Sequence, residues 1–134
     1  MTYLLIAFGS ALGGMARYWC SLAVLTATGS VFPWGTMVVN VIGSALIGAA
    51  LGAMEPGSRW QVSIGTREFV NYFFMMGVLG GFTTFSSFSL QTLNLLRQQQ
   101  WMQAGANVLL SVTLCLLAVA IGFWLATAFN PTRS

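Results

Sequence analysis

The chain has 134 residues, of which 57% are hydrophobic and 5% charged, and its seven charged residues are five Arg and two Glu, with no Lys, Asp or His. A mean hydropathy of +0.80 places it in a membrane. The net charge of +3 is too small and scattered for a nucleic-acid surface, and without His, Lys or Asp the sequence offers no plausible nucleophile–base pair, so neither a nucleic-acid partner nor an enzyme is expected.

Four apolar stretches, Tyr3–Ala27, Thr36–Met54, Phe69–Leu96 and Ala104–Phe129, each reach the ~20 residues that cross a bilayer as helix, predicting one all-α transmembrane domain over residues 1–134. The first lacks a basic leader and a clear cleavage site, so it reads as a retained helix. It carries Gly9-x-x-x-Gly13 and Arg17, the only full charge within a span. A central Arg costs ~2.5–3.5 kcal/mol on insertion scales. Arg17 therefore either snorkels to headgroups or stands at an aqueous vestibule that concentrates anions. In the second stretch Thr36, Asn40 and Ser44 form one stripe at i, i+4, and Ser44, Gly48 and Gly52 put small residues on one face. An amide within a span must be hydrogen-bonded, either as glue between helices or toward a substrate. The loop Glu55–Glu68 gathers four of the charges.

The third stretch holds Gly80-Gly81-Phe82-Thr83-Thr84-Phe85-Ser86-Ser87-Phe88-Ser89. Paired glycines and hydroxyl side chains weaken a helix here, and in hydrocarbon a broken backbone is tolerated only when buried in protein or lining a wet cavity. In the fourth stretch Asn107, Ser111 and Cys115 repeat the i, i+4 stripe. Cys20 and Cys115 have no metal-ligand spacing and read as small packing residues. Arg59, Arg67 and Arg133 fall on one side of the membrane and Arg97 on the other, a weak bias that permits insertion in both orientations.

The spans offer amide N–H, hydroxyl O–H and the positive edges of phenyl rings, all of which can replace water around a small anion. No carboxylate lies in their central parts, which argues against the alternative of a proton-coupled exporter of the small multidrug type.

The run from Gly80 to Ser89 closely resembles the GG-x-(T/S)-TFS-x-F-S stretch of the Fluc (CrcB) fluoride channels. Pro33-Trp34-Gly35-Thr36-Met37-Val38-Val39-Asn40 is similar to their GT-x-x-VN motif, and Gly9 through Tyr18 to their glycine-rich first helix ending in Arg. The resemblance covers essentially the whole chain. It implies a passive fluoride channel of the bacterial cytoplasmic membrane that protects the cell by letting the anion leave, assembled as an antiparallel dual-topology homodimer with the third helix broken. It further implies that Phe85 and Phe88 line the pores and that Asn40 and Ser111 face the anion. Thr36, Ser86 and Arg17 join the expected anion pathway. It implies, too, a structural Na⁺ on the two-fold axis, held by the backbone carbonyls of Gly80 and Thr83. Gln91 stands where those channels usually carry a glutamate. A neutral amide keeps hydrogen-bonding capacity without the charge.

Overall fold

The computed structural model describes residues 1–55 and 63–129, and within them every regular element is helical. Helix α1 (Thr2–Thr28) ends at Gly29, whose left-handed φ of 55° lets its N–H cap the Leu25 carbonyl. Helix α2 (Trp34–Ala53) starts directly after Pro33, where a residue without an N–H costs the helix nothing. A long third arm runs from Ile64 to Arg97. It begins as α3 (Ile64–Phe69), capped by the Ser63 side chain, and widens into a π-helix over Val70–Leu79. It then tightens to α4 (Gly80–Phe82), breaks, and resumes as α5 (Phe85–Arg97). Helix α6 (Trp101–Phe129) closes the domain.

The arms at Trp34–Ala53, Ile64–Arg97 and Trp101–Phe129 are long and apolar enough to cross a membrane, making this a multi-pass membrane protein. At 27 residues α1 extends about 40 Å, ample for a span, but Arg17 and the interspersed small and polar residues keep its composition short of the other three. The fourth expected span therefore rests on length alone. Of the Arg residues read for orientation, Arg59 and Arg133 lie outside the described residues.

Two helix pairs make the body: α2 lies along α6, and α1 lies along the π-helix and α4. Backbones meet directly in both. A Cβ on Gly48 would strike the Val119 carbonyl, one on Gly122 the Ala45 carbonyl, and one on Gly52 would come within 2.7 Å of the Phe123 oxygen. On the other side, a Cβ on Gly77 would lie 2.9 Å from the Gly9 Cα. Lipid gives no hydrophobic drive for helix association, so dispersion between close backbones must replace it. Both small-residue series are thus spent inside the chain. Large apolar side chains instead face outward, among them Leu109, Leu116, Ile121 and Trp124 of α6, as a surface in hydrocarbon allows.

Candidate anion pathway

The break in the third arm falls later than the glycines. Gly80 is still right-handed helical (φ −63°, ψ −38°), whereas Thr83 (φ −79°, ψ 156°) and Thr84 (φ −153°, ψ 114°) are extended. The glycine pair does not bend the chain; Gly81 is small because a Cβ there would come within 2.5 Å of the Ser10 carbonyl on α1. What opens the backbone is competition for its hydrogen bonds. The Thr84 N–H donates to Asn40 Oδ1 at 2.8 Å, and Asn40 Nδ2 donates to the Thr84 carbonyl at 3.0 Å. A side-chain amide of α2 thereby pairs both backbone groups of one residue, as a neighbouring strand would, and neither is left bare in a low-dielectric interior. The approach needs a small residue one turn along α2: a Cβ on Gly43 would run into the Thr83 methyl group.

Downstream, Thr84 is the N-cap of α5, its Oγ1 accepting from the Ser87 N–H at 3.2 Å. These diversions strand two carbonyls. In a continuous helix the Gly80 oxygen would receive the Thr84 N–H and the Thr83 oxygen the Ser87 N–H, and both donors are now committed elsewhere. The Thr83 oxygen accepts instead from Arg17 Nη1 at 3.4 Å. Arg17 thus turns inward to the break.

Beside the break lies an open crevice of about 360 Å³. Asn40 and Ser44 of α2, Thr83 and Thr84 at the break, Phe85 and Phe88 of α5, and Ser111 and Cys115 of α6 contribute to its wall. The two phenyl rings sit 5.3 Å apart at 44°, and Phe85 is 77% exposed. Among the described residues no carboxylate lines the crevice. On its α6 side, Ser111 donates to Asn107 Oδ1 at 3.4 Å and Asn107 Nδ2 donates to Thr92 Oγ1 at 2.9 Å. Both cysteines are free and half-buried.

Four of the seven expected pathway residues, Asn40, Phe85, Phe88 and Ser111, line the crevice, and Arg17 reaches the Thr83 carbonyl at the break without lining the wall. Thr36 does not reach the crevice: it is buried toward a second pocket of about 330 Å³ shared with Ser21, Gln91, Asn94 and Gln98. There the Gln91 Oε1 is buried with no protein partner among the described residues. Ser86 is exposed, within 3.2 Å of the Thr84 hydroxyl and off the crevice wall. The sequence pattern does not single out Thr84 or Thr92. The Thr-x-x-Ser spacing at the start of α5 is the signal for the cap, and nothing local announces Thr92, whose partner is on another helix.

The family model for CrcB-like proteins, Camphor Resistance (CrcB), matches residues 4–123. The chain belongs to the CrcB family. A Methylocella silvestris member named "Fluoride-specific ion channel FluC" is 52% identical over 133 residues, covering 99% of this chain and 98% of the relative. Same-named members from Paramagnetospirillum magneticum (50% identical, 97% of this chain and 98% of the relative) and Opitutus terrae (52% identical, 98% and 96%) match as fully. CrcB membership therefore spans both helix pairs, the break and the crevice.

Proposed function

We propose that this protein is a passive fluoride channel of the bacterial cytoplasmic membrane, working as an antiparallel dual-topology homodimer. The observation that carries the reading is the break at Thr83–Thr84, held open by Asn40, which sets two phenyl rings, hydroxyls and an amide around one uncharged crevice. Fluoride is small and strongly hydrated, so its dehydration must be offset by several weak donors at once, and ring edges with neutral O–H and N–H groups meet that need without binding the ion too tightly to leave. One hydrogen of Asn40 Nδ2 is given to Thr84, and the amide's second hydrogen has no protein acceptor among the described residues, leaving it available to an anion. The relatives' shared name supports fluoride as the ion and a channel rather than an enzyme. It does not support an exporter, and the crevice offers no carboxylate to carry a coupled proton.

The dimer is supported by the crevice itself, which is open in the single chain and leaves Phe85 uncovered. The stranded Gly80 and Thr83 carbonyls suit the hard-oxygen preference of Na⁺, which would satisfy them and link two copies across the axis. Arg17 takes up only one of the two lone pairs on the Thr83 oxygen.

Reconstituted liposomes loaded with fluoride or chloride test the function. Rapid fluoride efflux with chloride retained is the expected result, and efflux of neither ion, or efflux only with an imposed proton gradient, would overturn it.

A further inference from the structure

The polar contacts behind the crevice have a fixed direction. Thr92 Oγ1 gives its one hydrogen to the Phe88 carbonyl at 2.8 Å, so toward α6 it can only accept. The atom of Asn107 that meets it must then be the donor Nδ2, which turns Oδ1 toward Ser111. An amide oxygen only accepts, so Ser111 must donate. Each step follows from the donor inventory of the side chains, and Asn107, 2% exposed, has little room to reorient.

The outcome runs against the task assigned to Ser111. With its only hydrogen committed to Asn107, Ser111 shows lone pairs to the crevice, and lone pairs repel an anion. The bond that holds the hydrogen is the weakest of the three, 3.4 Å against 2.9 and 2.8 Å.

We propose that Asn107 is a positioning residue for anion passage: it holds the Ser111 hydroxyl in a donor-withdrawn orientation, and an arriving fluoride must draw that hydrogen away before Ser111 can bind it. The inference rests on the fluoride-channel reading. Asn107 touches no anion itself. Its effect is to weaken the site at Ser111 by the free energy of one long hydrogen bond, which keeps the ion from lodging there, since conduction requires binding favourable enough to enter and weak enough to leave.

The test is fluoride flux from liposomes at graded fluoride concentration, separating half-saturation from maximum flux. Asn107→Leu should lower the half-saturating concentration about three- to tenfold and reduce the maximum flux, because the freed Ser111 hydroxyl holds the ion longer. The same substitution in a Ser111→Ala background should leave half-saturation unmoved. Thr92→Val, which removes the group that orients the Asn107 amide, should shift half-saturation in the same direction by a smaller factor and decides the matter if Asn107→Leu does not assemble. Unchanged half-saturation in the assembled variants, or an equal shift with and without Ser111, would reduce Asn107 to glue between α5 and α6. Wild-type liposomes that pass no fluoride would instead refute the channel reading itself.

Discussion

Asn40 performs two tasks with one amide. It closes the backbone at Thr84 and leaves one hydrogen for the crevice. Asn40→Asp separates itself from a simple loss of polarity, because a carboxylate can still accept from the Thr84 N–H but cannot donate to the Thr84 carbonyl. An unpaired buried carbonyl costs about 1–3 kcal/mol, and the added charge repels an anion where screening is poor. Fluoride flux from Asn40→Asp liposomes should fall to background, with the protein less resistant to heat by size-exclusion chromatography; normal flux would leave Asn40 as structural glue. The rings answer to a different substitution. Phe85→Ile and Phe88→Ile keep apolar bulk but remove the ring quadrupole, and each should cut flux by orders of magnitude in a protein that still assembles. Phe82→Ile, outside the crevice wall, should be mild. Flux equal to wild type in Phe85→Ile and Phe88→Ile would make the rings packing elements. Asn40, Phe85, Phe88 and Ser111 stood out in the sequence as polar and aromatic residues in apolar spans, but it was the resemblance to the Fluc stretch that implied a shared anion pathway. The partner of the Asn40 amide was not legible, since Thr84 lies 44 positions away and only the fold brings them together.

Among the elements, the third arm shows why its break was foreseeable and its position was not. A Gly-Gly pair next to hydroxyl residues marks a weak helix, yet the chain opens where Asn40 and the Thr84 hydroxyl offer the backbone other partners. The π-helix at Val70–Leu79 has no sequence sign of its own; its apolar residues would serve an α-helix equally well. Thr84→Val removes the cap of α5 and should cost about 1 kcal/mol, seen as a lower melting midpoint in detergent, while Thr84→Ser should recover most of it. Failure of Ser to rescue would assign the loss to the Thr84 methyl rather than the cap. The small-residue stripes were readable as close-packing faces, but not as faces of the same chain. Gly122→Leu would drive a side chain into the Ala45 carbonyl and should destabilise the α2–α6 pair by about 1–3 kcal/mol or more, lowering the yield of folded protein.

For the whole molecule, membrane residence follows from composition and the four helical arms from the lengths of the apolar stretches, whereas orientation depends on few charges. Comparable numbers of chains in each orientation are expected. After replacement of Cys20 and Cys115, a cysteine introduced at Ser134 should be labelled from both sides of the membrane, and labelling from one side in nearly all molecules would remove the antiparallel dimer. If Na⁺ joins two copies through Gly80 and Thr83, exchange of Na⁺ for a bulky organic cation should shift the dimer toward monomer in chromatography. An unchanged profile would detach Na⁺ from assembly.

If the open side of the crevice is closed by a second copy, transport becomes a matter of mass action. A lone chain turns Phe85 and its polar wall toward acyl chains, which neither solvate an anion nor enclose it. If a second copy completes that wall, flux per chain depends on encounter in the plane of the bilayer: dilution with lipid below the dimer dissociation constant should make total flux fall with the square of protein density instead of in proportion to it. A cell that inserts chains in both orientations would then reach its greatest transport when the two populations are equal, so selection on fluoride tolerance would act on the near-balance of the loop arginines as directly as on the residues that meet the ion.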